Sequence, residues 1–264
     1  MPIEQVEEPL TDEIVKTGIH GLDEILHGGL LRGRSMLLCG GPGTGKTIFS
    51  IQFLYKGASD MNENGIYVTL DEKPDRLSRD MSKIGFDLAK VEKEGKLKII
   101  DYSSIMYLTP IEYEKAVVYM SAPTFKVESL AEVIKKNANE MNAKRIVIDS
   151  MTALFFQEPD AVKRRLAMRL LFKTLDECGC TSIVVSESRA GSLQREFQIE
   201  EYMAQGVIVL RTIQKADTVL RGIYVEKMRG IDHDLEIHPY KIAKDGITVF
   251  SGEKILIDNE SVLI

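Results

Sequence analysis

Short apolar runs alternate with longer segments of helical period over the first three quarters of the chain. The segments between the runs repeat apolar residues at helical spacing, and one of them begins at Pro74. Strands separated by helices predict βαβ units, and hence a mainly parallel sheet with helices on both faces. The predicted strands are SMLLCG (35–40), GIYVTL (65–70), KLKIID (96–101), RIVID (145–149) and TSIVVS (181–186). The predicted helices are KTIFSIQFLYKGAS (46–59), PDRLSRDMSKIG (74–85), VESLAEVIKKNANEMN (127–142) and AVKRRLAMRLLFKTLDE (161–177).

The pattern changes after Gln205, where short strand-like runs follow one another with turns and no helix between them. This part predicts an antiparallel extension of the sheet. Nothing in its sequence requires the extension to fold back over the glycine-rich segment at residues 40–47. Residues 102–126, interrupted by Pro110 and Pro123, predict a surface excursion. We expect an acidic N-terminal segment over residues 1–15 and a single α/β domain over 16–264. The strands of the extension are GVIVLRTIQ (206–214), VLRGIYVEKMRG (219–230), LEIHPYKIA (235–243) and GITVF (246–250).

Composition narrows the class of protein. Charged residues make up 28% and hydrophobic residues 44% of the chain, which is typical of a globular protein. No apolar stretch approaches the roughly 20 residues that a membrane helix needs, and the acidic start has no signal-peptide core. The formal net charge of -6 gives no support to broad nucleic-acid binding. Three cysteines, Cys39, Cys178 and Cys180, suit a structural role in a reducing compartment. We expect a cytoplasmic protein with no membrane partner.

A phosphate-binding loop is the strongest chemical signal in the sequence. GGPGTGKT, residues 40–47, matches G-x4-G-K-[ST] between a predicted strand and a predicted helix. The glycines let backbone N–H groups close around phosphates, and the helix N-terminus favours the same anions. Lys46 is predicted to reach the β- and γ-phosphates, and Thr47 to ligate Mg2+ through its hydroxyl group.

Acidic residues stand at the ends of two other predicted strands. Asp149 ends RIVID, at the edge of the sheet where open α/β proteins bind ligands, and is predicted to help hold the magnesium ion. Asp71 and Glu72 follow the strand that starts at Gly65, and one of them is a candidate base for an attacking water. Ser186 and Glu187 end a further strand and are weaker candidates for a γ-phosphate sensor.

Two cations near the C-terminal end raise a question of charge. In KMRGIDHD, a strand would point Lys227 and Arg229 to the same side, where they repel unless an anion faces them. His233 and His238 would face opposite sides of such a strand, so a single metal ion is not expected there. The basic run KRRLAMR, 163–169, predicts a solvated helix face whose buried side includes Leu166, Leu170 and Leu171.

In sequence order, several segments resemble the RecA-superfamily ATPases, and in particular the KaiC family. The resemblance runs from about Lys16 to Phe250 and corresponds to one KaiC-type domain, whereas KaiC carries two in tandem. The segments are TGIHGLDEILHGGLLRG, GGPGTGKTIFSIQFLYKG, VTLDEKP, IGFDLAKVEKEGKL, RIVIDSMTAL and KMRGIDH.

The resemblance implies a RecA-like P-loop fold and a homohexameric ring with ATP bound between subunits. One subunit would contribute Gly43, Thr44, Gly45, Lys46, Thr47 and Ile48, and its neighbour Lys227, Arg229 and His233. The KaiC acid pair is Glu-Glu, so Asp71-Glu72 leaves open which acid is the base. The ribose-contacting stretch corresponds to Ala243 and Lys244, which differ in type. Glu201-Tyr202 occupies the place of the KaiC phosphorylation sites, so ATP hydrolysis is expected rather than self-phosphorylation.

Two further functions remain open at this point. A recombination or repair factor related to RecA would bind DNA through the stretch ESRAGSLQREFQIEE, residues 187–201. A slow nucleotide switch or scaffold would bind ATP, hydrolyse it hardly at all and recruit an unidentified protein partner.

Overall fold

The structure is a computed structural model that describes residues 13–103, 123–155, 160–187, 199–215, 218–257 and 261–263. The predicted strands and helices are present within one to three residues of their expected limits, except that the helix predicted from residue 127 already begins at Pro123. The strands are β1 (Ile14–Val15), β2 (Leu30–Leu31), β3 (Ser35–Gly40), β4 (Gly65–Thr69), β5 (Leu97–Asp101), β6 (Arg145–Asp149), β7 (Thr181–Glu187), β8 (Gly206–Lys215), β9 (Thr218–Met228), β10 (His238–Ala243), β11 (Gly246–Val249) and β12 (Ser261–Leu263). The helices are α1 (Leu22–Ile25), α2 (Lys46–Asp60), α3 (Pro74–Ser82), α4 (Leu88–Lys93), α5 (Pro123–Met141), α6 (Met151–Phe155), α7 (Ala161–Glu177) and α8 (Ile199–Met203).

The main sheet has the order β11-β10-β9-β8-β3-β7-β6-β4-β5, and β12 pairs with β8. All neighbours from β8 to β5 in this order are parallel, whereas β9, β10 and β11 pair antiparallel. The expected α/β architecture with an antiparallel extension is therefore confirmed. One detail differs, because β8 lies parallel to β3 and the antiparallel part begins only at β9.

Helices cover both faces of the sheet, as the alternating pattern predicts. One core lies under α1 to α4 and includes Phe49 and Phe53 of α2. The other lies under α5, α6 and α7 and includes Leu171 and Leu175. Strands β3, β4 and β7 are buried along nearly all of their length because each faces helices on both sides. In the described part of the chain, no helix has the length and apolar character needed to cross a membrane.

The differences from the sequence predictions concern short elements and one helix face. Strands of two or three residues and helices of four to six residues are too short to show a period, so β1, β2, β12, α1, α4, α6 and α8 are not predicted. Pro123 begins α5, where its missing N–H costs nothing, rather than interrupting a loop. Leu166 is 53% exposed, and the buried side of α7 is instead formed by Ala167, Met168, Leu171, Phe172 and Leu175. Residues 104–122 of the predicted excursion lie outside the described residues.

A buried ion-pair network ties the N-terminal part of the domain to the sheet. The Arg145 side chain has no exposed surface and donates to Glu63 at 2.6 Å and to the carbonyl oxygens of Phe53 and Lys16, both at 2.8 Å. Glu63 also accepts from Arg32 at 2.8 Å, and Arg32 pairs with Glu13 at the same distance. The network therefore joins the strand pair β1–β2 to α2 and β6.

Candidate nucleotide-binding site

The glycine-rich loop joins the end of β3 at Gly40 to the start of α2 at Lys46. Gly45 has φ of 93°, and a Cβ atom built on it would lie 2.7 Å from Cδ1 of Ile242, so the position requires glycine. No side chain caps α2, and its first N–H groups have no partner within the helix, which makes this helix end suited to an anion. The Lys46 ammonium group donates to the carbonyl oxygens of Gly40 and Gly41, both at 2.9 Å.

Thr47 and Asp149 come together although 102 residues separate them in sequence. The Thr47 hydroxyl donates to Oδ2 of Asp149 at 2.8 Å, and the Tyr67 hydroxyl donates to the same oxygen at 2.6 Å. Burial raises the pKa of Asp149, while the hydrogen bonds from Tyr67 and Thr47 act in the opposite direction. A hydroxyl and a carboxylate oxygen side by side are hard oxygen ligands, so this pair fits Mg2+. The signal for Tyr67 in the sequence is a phenol group inside an otherwise apolar strand.

Asp71 and Glu72 both face the same cavity but have different anchors. Oδ2 of Asp71 accepts from the Ser150 hydroxyl at 2.9 Å, and the Asp149–Ser150 peptide bond is cis. The Glu72 carboxylate pairs with Arg76 at 3.2 Å. Burial raises the pKa of Glu72, and Arg76 counteracts part of that effect. The two acids therefore differ in environment: one is held by a buried hydroxyl group, the other by an exposed cation.

A cavity of about 670 Å³ joins these groups, and its volume lies within the range of small-molecule sites. Thr44 does not line the cavity: it is buried, and its hydroxyl donates to the Gly41 carbonyl at 2.8 Å. The lining residues are Pro42, Gly43, Gly45, Lys46, Thr47, Ile48, Tyr67, Thr69, Asp71, Glu72, Asp149, Ser150, Glu187, Arg221 and Ile242. A larger, open depression of about 910 Å³ lies between residues 16–28, α2 and β11, away from the phosphate-binding loop.

The antiparallel strands fold back over the phosphate-binding loop, which nothing in the sequence required. The Tyr240 hydroxyl of β10 donates to the Thr44 carbonyl at 2.5 Å, and Ile242 and Arg221 line the cavity. Burial raises the pKa of Tyr240. Ala243 and Lys244 follow directly at the exposed turn into β11 and do not line the cavity. Because these strands are more than 170 residues away in sequence, no local pattern places them here.

The last two residues of β7, Ser186 and Glu187, lie in different environments. Glu187 lines the cavity, and its charge acts on Lys46, whose pKa is lowered by burial. Ser186 is buried on the other face of the sheet, where its hydroxyl donates to Oε1 of Glu200 at 3.2 Å. Of the stretch considered for DNA binding, residues 188–198 lie outside the described residues.

Lys227 and Arg229 lie at the edge of the sheet formed by the N-terminal ends of the parallel strands. The phosphate-binding loop of their own subunit lies at the opposite edge, formed by the C-terminal ends of those strands. Lys227 pairs with Val207 and Met228 with Gly206, which itself pairs with Met36 near the start of β3. Met36 is four strand residues, roughly 13 Å, from Gly40, where the loop begins.

The two cations do point to the same side, as the sequence predicts, and both reach α8. The Lys227 ammonium group donates to the Glu201 carbonyl at 2.6 Å, and Nη2 of Arg229 donates to the Tyr202 carbonyl at 3.3 Å. Burial and the nearby Arg229 charge lower the pKa of Lys227.

His233 follows four residues after Arg229 in the chain, and both of its ring nitrogens are buried. Its loop is fixed by a hydrogen bond from the Asp234 N–H to the Ile25 carbonyl at 2.9 Å. His238 lies further along, at the start of β10. The structure therefore gathers the loop residues other than Thr44, together with Asp71, Glu72 and Asp149, around one cavity. Lys227, Arg229 and His233 lie outside the lining of this cavity.

The sheet order, the loop between β3 and α2, and the Thr47–Asp149 pair define a P-loop nucleotide-binding protein of the RecA-like class.

Comparisons with known proteins narrow this class to a family. The family model described as "ATPase: KaiC" matches residues 15–254. A UPF0273 protein from Methanocaldococcus jannaschii is 40% identical over 242 residues, which cover 92% of this chain and 98% of that protein. The circadian clock oscillator protein KaiC of Synechococcus elongatus is 36% identical over 239 residues, which cover 89% of this chain and 44% of that protein.

A solved structure agrees with the sequence comparisons. The crystal structure of a KaiC-like protein from the hyperthermophilic archaeon Pyrococcus horikoshii superposes with a TM-score of 0.77 at 35% identity, covering 91% of this chain and all of that one. The chain belongs to the KaiC family of ATPase domains and corresponds to a single KaiC-type domain.

Proposed function

We propose that this protein is a Mg2+-dependent ATPase that hydrolyses ATP to ADP and phosphate at the interfaces of a homo-oligomeric ring, which the family resemblance suggests is a hexamer. The observation that carries the proposal is the separation between the two halves of the site. Each subunit has a complete phosphate-binding loop at one edge of its sheet and two cations at the other. Lys227 and Arg229 are too far from their own loop, so a neighbouring subunit is the natural holder of their anion.

Each group then has a defined role on one side of the interface. The backbone N–H groups from Gly43 to Thr47 and the Lys46 ammonium group bind the phosphates, while Ile48, Ile242 and Arg221 lie where the rest of the nucleotide would extend. Thr47 and Asp149 would hold Mg2+, which when bound neutralises charge on the β- and γ-phosphate oxygens.

The neighbouring subunit and the acid pair complete the mechanism. Asp71 or Glu72 orients the attacking water and accepts its proton, and the raised pKa of Glu72 favours proton acceptance closer to neutral pH. Lys227 and Arg229 stabilise the charge of the transferring phosphoryl group from the neighbouring subunit, and the family resemblance assigns His233 to the same loop. All three cysteines are free thiols, which suits the reducing conditions of the cytoplasm.

Phosphate release and light scattering test the proposal together. The purified protein, with ATP and Mg2+, is expected to form a ring and release phosphate, and both Lys46→Ala and chelation of Mg2+ are expected to stop that release. Normal turnover by Lys46→Ala would contradict the assignment of the loop. A ring that binds ATP tightly and shows negligible turnover would instead identify a nucleotide switch.

One observation favours that second candidate. Asp71 has a shorter side chain than the glutamate of the KaiC pair, and one of its oxygens is already bound by Ser150. If Asp71 is the base, its reach towards a water is limited and turnover is slow. Single-turnover hydrolysis by Asp71→Glu, compared with the unaltered protein, tests this point. If the unaltered protein is a slow switch because Asp71 is too short, the longer carboxylate is expected to increase the rate of ATP hydrolysis.

A further inference from the structure

The short helix α8, Ile199–Met203, lies between the end of β7 and the two cations at the end of β9, Lys227 and Arg229. At one end, the buried Ser186 hydroxyl donates to Oε1 of Glu200 at 3.2 Å. At the other end, the carbonyl oxygens of Glu201 and Tyr202 accept from Lys227 and Arg229 at 2.6 and 3.3 Å. The helix therefore contacts both Ser186 and the cation pair.

Ser186 is directly linked to the nucleotide site of its own subunit. It precedes Glu187, which lines the nucleotide cavity. In the sheet, Ser186 and Glu187 pair with Cys39 and Gly40, the last residues of β3 before the phosphate-binding loop. A displacement of Glu187 at the end of β7 would therefore also displace the hydroxyl group of the adjacent Ser186.

The other end of α8 orients the cations without using up their donors. Carbonyl oxygens in the last turn of a helix have no partner within the helix, and Lys227 and Arg229 supply two of the missing donors. An ammonium group has three N–H donors and a guanidinium group five, so each cation keeps donors for an anion on a neighbouring subunit.

The length of α8 makes its position depend on tertiary contacts, of which these hydrogen bonds are a part. Five residues form about one and a half turns, and a helix this short is not stable without tertiary contacts. Glu200 and Glu201 are adjacent in this turn and are 6% and 4% exposed. A change in the Ser186–Glu200 hydrogen bond that displaces this short helix as a unit would also displace the Glu201 carbonyl that accepts from Lys227.

We propose that Ser186 and Glu200 are positioning residues that couple consecutive ATP sites in the ring. The nucleotide state of one subunit sets the position of α8, and α8 sets the position of Lys227 and Arg229, which that subunit extends to its neighbour. This inference rests on the proposed ATPase function and adds a direction to it: each site regulates the next site through β7 and α8.

Mixed rings test this coupling. Unaltered subunits are mixed with subunits carrying both Asp71→Asn and Glu72→Gln, which keep Lys46, the cations and Ser186 but do not hydrolyse ATP. If the sites are coupled, the phosphate-release rate per active subunit depends on its inactive neighbours, and the total rate curves as their fraction rises. When all subunits also carry Ser186→Ala, the decline is expected to become linear. The rate of unmixed Ser186→Ala rings is expected to fall roughly two- to tenfold, with unchanged ATP affinity.

Ser182→Ala is the matched control, because Ser182 lies on the same strand and the same face of the sheet and donates to the Cys180 carbonyl at 3.1 Å. Rings of this variant are expected to keep the curved decline. A linear decline in rings with Ser186 intact would overturn the coupling, and a curved decline that persists in Ser186→Ala would overturn the route through Ser186 and Glu200. If rings of the unaltered protein form and bind ATP but release no phosphate, the proposed ATPase function itself is wrong.

Discussion

At the scale of single residues, Glu63 illustrates how a buried charge is made tolerable. Its carboxylate lies between Arg32 and Arg145, and its side chain is 13% exposed. Burial alone would raise the pKa of Glu63, but hydrogen bonds and positive charges from Arg32 and Arg145 outweigh that effect and lower it. Because the pKa is lower in the folded protein, the interaction stabilises the fold above the ordinary glutamate range and is lost as the pH falls through the lowered value.

Replacing this carboxylate tests the network. Glu63→Gln is expected to reduce the free energy of unfolding by about 3–5 kcal/mol near neutral pH, because the Arg145 charge stays buried without its counter-ion. The loss is expected to shrink on acidification, as the unaltered protein also loses the charge. Urea denaturation at several pH values measures both effects. Glu94→Gln, at an exposed position, is the control and is expected to stay within about 0.5 kcal/mol. Equal stability of the Glu63 and Glu94 variants would contradict this account.

The Tyr67 hydroxyl allows a second test at the scale of single residues, which concerns the proposed Mg2+ ligands Thr47 and Asp149. Its hydrogen bond to Oδ2 of Asp149 favours the ionised form, so Tyr67→Phe is expected to raise the pKa of Asp149 further. Because Mg2+ needs the carboxylate, the acid limb of Mg2+-dependent phosphate release is expected to move to higher pH. Tyr55→Phe, on α2 outside the cavity lining, is the control for loss of a phenol group. Coincident pH profiles for both variants would show that Tyr67 does not act on Asp149.

At the scale of elements, the site contains two kinds of residue. Some follow a predicted strand directly in sequence, and others reach the site only through the tertiary fold. The phosphate-binding loop, Asp149 and the Asp71-Glu72 pair are predictable, because each is fixed by covalent spacing at the end of a buried strand. Arg221, Tyr240 and Ile242 are not, since their place depends on how β9 and β10 cross back over the loop. The same limit applies to α8, whose five residues show no period of their own.

The contact between β10 and the loop gives an element-scale prediction. Tyr240→Phe removes the hydrogen bond to the Thr44 carbonyl, which steadies the loop that binds phosphate. ATP affinity is expected to weaken by a factor that corresponds to about 1 kcal/mol, or roughly fivefold. Tyr224→Phe on β9 is the matched control, because that hydroxyl accepts a long hydrogen bond of 3.5 Å from Arg211 and lies outside the cavity lining. Titration calorimetry with a non-hydrolysable ATP analogue measures both, and unchanged affinity in the Tyr240 variant would contradict a role for β10.

At the scale of the whole molecule, the two halves of the proposed active site occupy opposite edges of one sheet. A single subunit therefore cannot close the site on itself without unfolding β8 and β9, which are joined along their whole length. In the proposed ring, each loop edge would meet the cation edge of the next subunit. The arrangement also accounts for the two cations of KMRGIDHD, whose hydrogen bonds to described residues go to the neutral carbonyl oxygens of Glu201 and Tyr202.

Mixing two inactive variants tests this central claim most directly. Lys46→Ala subunits lack a working loop but retain Lys227 and Arg229, and Arg229→Ala subunits have the reverse defect. Each variant alone is expected to lose phosphate release, by about 10³-fold or more for Arg229→Ala, which still binds ATP. In mixed rings, a working loop meets an intact Arg229 across some interfaces, so the account predicts that activity returns and peaks at equal proportions. Mixed rings that assemble, bind ATP and remain inactive at every proportion would contradict it.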